Sequence, residues 1–189
     1  MAPRAHRAVG VILAASGLGL AACSSPPASS APSGPPARLG STLTQWQATR
    51  PASGDGGYGR AIPIDGTTTA EYTDVTTHQG RVVGWHQVFP AGSRLARAEA
   101  AVRTALPTDA RQTASWRGSY AGGRGFCEFV SYQSASLASV LGTGAPTSSG
   151  GVIGAEFYER TSHGAGSPSI ASVNAATVQS APFTQGEPC

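Results

Sequence analysis

Glu71-Tyr72-Thr73-Asp74-Val75-Thr76-Thr77-His78-Gln79-Gly80-Arg81-Val82-Val83-Gly84-Trp85-His86-Gln87-Val88-Phe89 is the stretch whose reading decides the fold. Its two arms, Glu71 to Thr77 and Arg81 to Phe89, are rich in β-branched and aromatic side chains, which suit a pleated, half-buried surface. His78-Gln79-Gly80 joins them and supplies a glycine for a tight reversal. The pattern predicts an antiparallel hairpin.

Upstream of the hairpin, Arg60 to Ile64 reads as an edge strand, because Pro63 has no N–H to give a ladder, and Asp65-Gly66 follows as a turn. Ser53 to Gly59 is a loop by composition. Thr42 with Gln45 three residues on has the form of a capping box, and Leu43 with Trp46 gives a short helix its apolar face before Pro51. Downstream, Ser93 is placed to cap a helix through Leu106, with Leu95, Ala98, Val102 and Ala105 or Leu106 on one face and Pro107 as the stop. Arg111 to Tyr120 and Phe126 to Tyr132 read as strands around the loop 121–125. Ser134 to Leu141 is a short helix closed by Gly142, and Gly151 to Arg160 and Ser169 to Gln179 are two more strands. Hairpins stand in the order α-β-β-β-α-β-β-α-β-β where parallel strands would need crossover helices. The expectation is an α+β domain: an antiparallel sheet with two or three short helices packed on one face.

The N-terminus has a different character. Arg4, His6 and Arg7 precede an apolar run from Ala8 to Leu20, about 13 residues, too short for the roughly 20 of a spanning helix and right for a signal peptide. Residues 24–38 are Ser/Pro-rich with no apolar side chain larger than Ala, so they form an extended tether rather than a core. The expected division is 1–22 signal peptide, 23–38 a cysteine and tether, and 39–189 a single globular domain of commonplace size.

Lys+Arg is 13 and Asp+Glu 10, and no lysine occurs, so all 13 cations are arginines. Removing Arg4 and Arg7 with the leader leaves 11 arginines against 10 acidic residues, a net charge of +1, which is not the balance of a nucleic-acid binder. Absence of Lys excludes Schiff-base chemistry, a P-loop lysine and Ser-Lys dyads together. Avoidance of Lys alongside abundant Ala, Gly and Arg is the usage of a GC-rich genome, such as an actinobacterium's. Of the 3 cysteines, Cys23 stands at the junction of leader and tether, which leaves Cys127 and Cys189 in the globular part to pair in a compartment where disulfides persist. Closing a loop of about 60 residues contributes roughly 4 kcal/mol in the chain-entropy model, and it ties down a periodicity-free tail that would otherwise fray. The alternative, two free thiols with one nucleophilic, is separated from it by thiol titration.

The candidate chemistry is sparse. Gly54-x-Gly56-x-x-Gly59 has the spacing of a dinucleotide fingerprint, but it follows a helix and precedes a strand, the reverse of what pyrophosphate binding needs, so it reads as a flexible loop. No cofactor pattern remains. His78, His86 and His163 are the histidines of the mature chain; eight residues of straight strand, about 27 Å, separate the first two, and they read as surface residues with no metal in common. No G-x-S-x-G elbow supports a Ser nucleophile. Asp65, Asp74, Glu156 and Glu159 read as solvated carboxylates, and no catalytic residue is assigned. One cluster stands out: Arg111, Trp116, Arg117, Tyr120, Arg124 and Phe126 interleave guanidinium groups with rings around a Gly-rich loop, a set suited to an anion, a glycan or a partner protein. The bland alternative has Trp116 and Phe126 in the core and the arginines solvated.

Leu20-Ala21-Ala22-Cys23 resembles the lipobox of bacterial lipoproteins, which implies diacylglycerol on the Cys23 thiol and cleavage before it. Leu39-Gly40-Ser41-Thr42 leading to Trp46, Gly57-Tyr58-Gly59, Gly80-Arg81-Val82, Leu106-Pro107-Thr108-Asp109-Ala110 and Ser134-x-x-Leu137 resemble blocks of uncharacterised actinobacterial lipoproteins, a likeness that implies location and no activity. Gly40 to Pro51 followed by the hairpin is similar to BamE-like and β-lactamase-inhibitor-protein-like modules, α+β binders or assembly factors that carry a helix pair before their strands where this chain shows one helix. The resulting expectation is an extracytoplasmic protein, anchored to the membrane by lipid, whose head binds an envelope protein or a cell-wall glycan without catalysis. A cell-envelope hydrolase acting on glycans or esters is the alternative.

Overall fold

In the computed structural model, which describes residues 35–64, 66–119, 126–142, 150–159, 172–186 and 188–189, the elements run α1 (Leu43–Thr49), β1 (Tyr58–Ile64), β2 (Thr67–His78), β3 (Arg81–Val88), α2 (Leu95–Ala105), β4 (Arg111–Ser119), β5 (Phe126–Gln133), α3 (Ala135–Leu141), β6 (Val152–Tyr158) and β7 (Ala175–Gln179). Their kinds and order are those expected from the sequence. The seven strands form one sheet in the order β1-β2-β3-β7-β6-β5-β4, each neighbouring pair antiparallel. The fold is α+β.

The central hairpin reverses at Gln79 and Gly80, with φ of 48° and 73°, the double left-handed turn whose twist matches the strands it joins. The three helices pack on one face. Trp46 of α1, Ala98, Val102 and Ala105 of α2, and Leu137 and Leu141 of α3 share one buried cluster with Val83, Trp85, Val130, Tyr132, Ile153, Phe157 and Val178 of the sheet. Each large side chain among them contributes about 1.5–3 kcal/mol by leaving water, far more than the propensity of helices this short. β7 completes the sheet by inserting between β3 and β6, a pairing without any local turn to announce it.

Two of three helix starts are as the sequence indicates. Thr42 and Gln45 form the reciprocal capping box, and Ser134 Oγ accepts from Leu137 N at 3.0 Å while Gly142 closes the helix at φ 68°. Ser93 does not cap α2. Its hydroxyl donates to Pro90 O at 2.7 Å and its carbonyl accepts from Val173 N, so the side chain is committed to the loop and Arg94 takes the cap position without a side-chain bond. The glycine segment 53–59 is held to the sheet rather than loose: the Asp55 carboxylate accepts from Ala70 N at 2.8 Å and Gly57 N at 3.3 Å and from the Ser53 hydroxyl.

A disulfide joins Cys127 to Cys189, with Cα atoms 6.0 Å apart. The C-terminal segment thereby crosses the sheet face opposite the helices. Phe183 packs on Phe129 at 5.1 Å, and it lies so near β6 that a Cβ on Gly154 would sit 2.6 Å from Ala181 O and 2.7 Å from the Phe183 ring. Among the described residues no helix is long and apolar enough to cross a membrane.

Candidate functional site

Antiparallel register sends alternate residues to alternate faces. Trp85, Val178, Ala155 and Val130 are successive cross-strand partners on the helix side. Their neighbours form a second row across the other face: Thr73, His86, Thr177, Glu156, Phe129 and Trp116. Among the described residues no helix lies on this face. Its β4-β5 end is apolar, where Trp116 stacks on Phe129 at 5.3 Å and Phe183 covers Phe129, and its middle is polar.

The polar part is a groove of about 410 Å³ lined chiefly by Asp74, Thr76, His86, Tyr158, Thr177 and Gln179. A bulge builds one wall. Register slips between Thr73 and Thr76 against His86 and Gly84, and Asp74 sits at φ +49°, a conformation that aspartate tolerates better than most residues. Bulges re-aim side chains in this way at the rims of sites, and here they present exposed Asp74 and Thr76 to the groove. His86 is 8% exposed, with its ring 6.0 Å from that of Tyr158. Its Nδ1 lies 2.9 Å from Thr73 Oγ1, and the Thr73 hydroxyl donates to Asp74 Oδ2 at 3.3 Å. Thr73 Oγ1 thus bridges the imidazole and the Asp74 carboxylate, and the tautomer of His86 sets which partner of the Thr73–His86 bond donates. A carboxylate, two hydroxyls, a phenol, an amide and an oriented imidazole on four neighbouring strands can satisfy a ligand rich in both donors and acceptors.

The structure divides the aromatic-Arg set named from sequence. Trp116 and Arg117 are consecutive in β4 and face opposite ways. Trp116 belongs to the open face, whereas Arg117 lies on the helix side over the Phe126 ring at 5.8 Å and 3.8 Å from Glu128 Oε2. Burial pushes the Glu128 carboxyl above its usual range, opposed by Arg117 and reinforced by Glu99. Arg111 pairs with Gln133, four residues along β5 from the Trp116 partner Phe129, roughly 13 Å away at strand rise. Tyr120 and Arg124 lie outside the described residues, as do Cys23, Asp65 and His163. His86 is buried and hydrogen-bonded, not a surface histidine. His78 pairs with Arg81 and His86 with Thr73; because the chain folds back, five residues rather than eight separate them, roughly 17 Å, still too far for one ion. Glu156 lies within 4.8 Å of both Cys127 and Cys189 sulfurs, but these are bonded to each other and offer no thiolate.

The groove residues had a signal in the sequence. In Ala175-Ala176-Thr177-Val178-Gln179 the polar side chains fall on alternate positions, as do Gly84 and His86 in β3, which marks one wet face. The Asp74 bulge had none. No protein-family model, curated protein or solved structure matches this chain.

Proposed function

We propose that this chain is an extracytoplasmic lipoprotein, held to the membrane by lipid on Cys23, whose α+β head binds a cell-wall glycan in the groove of its open sheet face. The observation that carries the binding part is that groove: a mixed array of hydrogen-bonding side chains and a phenol ring, on strands whose other face is locked by helices. Size favours a glycan over a protein as its occupant, since about 410 Å³ is within the range of small-ligand sites, whereas a stable protein interface covers about 800 Å² per partner. The Cys127–Cys189 disulfide supports an oxidising compartment, and the lipobox-like block supports the anchor.

A second reading, an envelope hydrolase, is favoured by one observation, the imidazole oriented by Thr73 and Asp74 beside the cavity. Solubilised cell-wall glycan titrated into wild type and Thr177→Arg, which fills the groove with a long cation, tests both. The expected result is saturable binding by wild type, lost in the variant at unchanged thermal midpoint, with no new reducing ends. Binding retained by Thr177→Arg would overturn the groove assignment, and reducing ends that vanish in His86→Asn would replace the binder with the hydrolase.

A further inference from the structure

A second cavity, of about 450 Å³, lies where the end of α1 meets β1 and β2, and it shares no lining residue with the groove. Thr49, Arg50, Arg60, Glu71, Tyr72 and Thr104 are among the residues that line it. Arg50 is its unusual member. The side chain is 7% exposed, and its guanidinium carbon sits 3.7 Å from the Trp46 ring centroid and 4.8 Å from that of Tyr72. Nη1 donates to Ala37 O at 2.9 Å and to Thr49 Oγ1 at 3.2 Å. Among the described residues no carboxylate comes within 4.0 Å of it; the ion pairs are Arg60 with Glu71 and Arg117 with Glu128.

Buried charges are ordinarily paired, because removing an ion from water is not recovered by neutral acceptors alone. Two aromatic faces offset part of that cost. They also hold the planar fork in one orientation, which is the arrangement that favours bidentate binding of an oxyanion. Arg60 adds a second cation at the exposed rim, and Glu71 balances one of the two, so the cavity keeps one positive charge in excess. We propose that this cavity binds an oxyanion, carboxylate or phosphate, carried on a small molecule, with Arg50 as its anchor and Arg60 at its mouth. The volume is larger than the anion needs, which leaves room for the rest of the molecule. This site stands independently of the glycan groove.

The test follows the Arg50 Nε–H signal by NMR in the full chain, titrated with inorganic phosphate and, separately, with acetate at constant ionic strength. The expected result is a saturable displacement of that signal by at least one anion. Arg50→Met removes the charge but also a packed side chain, so Thr104→Glu is the second variant. Thr104 is exposed on α2 and its hydroxyl donates only to Ala101 O within its own helix. A carboxylate there should weaken anion binding about tenfold or more while the thermal midpoint holds. Glycerol phosphate and phosphatidylglycerol vesicles separate the sources. Displacement by the soluble ester without vesicle binding assigns a free phosphate ester, and vesicle binding lost in Thr104→Glu but kept in a Ser139→Glu control assigns a lipid headgroup; either upholds the site. An Arg50 signal that no probe displaces saturably, or a displacement unchanged by Thr104→Glu, overturns it.

Discussion

Replacing Cys127 and Cys189 with serine should cost this domain roughly 4 kcal/mol of stability. The bond closes a loop spanning a sequence separation of 62. In the chain-entropy model such a closure removes about 14 cal/mol/K from the denatured ensemble, or roughly 4 kcal/mol at 25 °C. The native state has reason to lose little beyond this, since the C-terminal segment keeps the contact of Phe183 with Phe129 and the Cys189 N–H bond to Ser119 O. For a domain of this size the loss corresponds to a fall in Tm of about 8–16 °C. Urea unfolding of the oxidised wild type and the double serine variant measures it. Because the effect lies in the unfolded chain, the m value should rise as the unlinked chain expands. A loss below about 1 kcal/mol, or an unchanged m, would refute the claim that the bridge acts by restricting the denatured state.

Other outcomes rest on different parts of the structure. Asp109 is held at about 2 by the Ser136 hydroxyl and amide and the Ser134 hydroxyl at the start of α3. Its native value lies below the unfolded one, so its contribution is complete above pH 5 and disappears as pH falls from about 4 to about 2; Asp109→Asn should flatten acid unfolding in that window and leave the rest of the pH profile alone. Gly154→Ala should destabilise by about 1–3 kcal/mol, since a backbone carbonyl and a packed ring cannot both move away from the new methyl; a neutral effect by calorimetry would mean that the C-terminal segment does not lie on β6. Arg117→Ala should change stability by at most about 1 kcal/mol, the scale of an exposed ion pair, and add independently to Trp116→Ala because the two face opposite ways. A coupling energy beyond about 0.5 kcal/mol in the double-mutant cycle would contradict that separation.

Element kinds and order were legible because each rests on local signals: β-branched runs, a glycine at the reversal, a Thr-x-x-Gln box, Pro51 and Pro107 as stops. Strand order was not. The pairing of β3 with β7 joins residues about as far apart as Trp85 and Val178, and no turn chemistry links them; only the long-range burial of both strands decides it. The aromatic-Arg set shows the limit most clearly. Trp116 and Arg117 were grouped by proximity in sequence, whereas the period of two in the strand they occupy already assigns them to opposite faces. Ser93 misled because a hydroxyl before a helix has two acceptable uses, and the half-buried loop carbonyl of Pro90 took it. Asp74 and Arg50 carry no local signature at all. One depends on a bulge that only the partner strand reveals, and the other on two rings contributed by α1 and β2.

The central claim, recognition by the open sheet face, is tested most directly by site-specific photocrosslinking in intact envelopes. A photoreactive side chain at Thr76, exposed at the groove, is compared with one at Arg97, exposed on α2 on the opposite side. The account expects cell-wall glycan to be captured from Thr76 and not from Arg97, and capture to fall when soluble glycan competes. Equal capture from both positions, or capture from Arg97 alone, would contradict it.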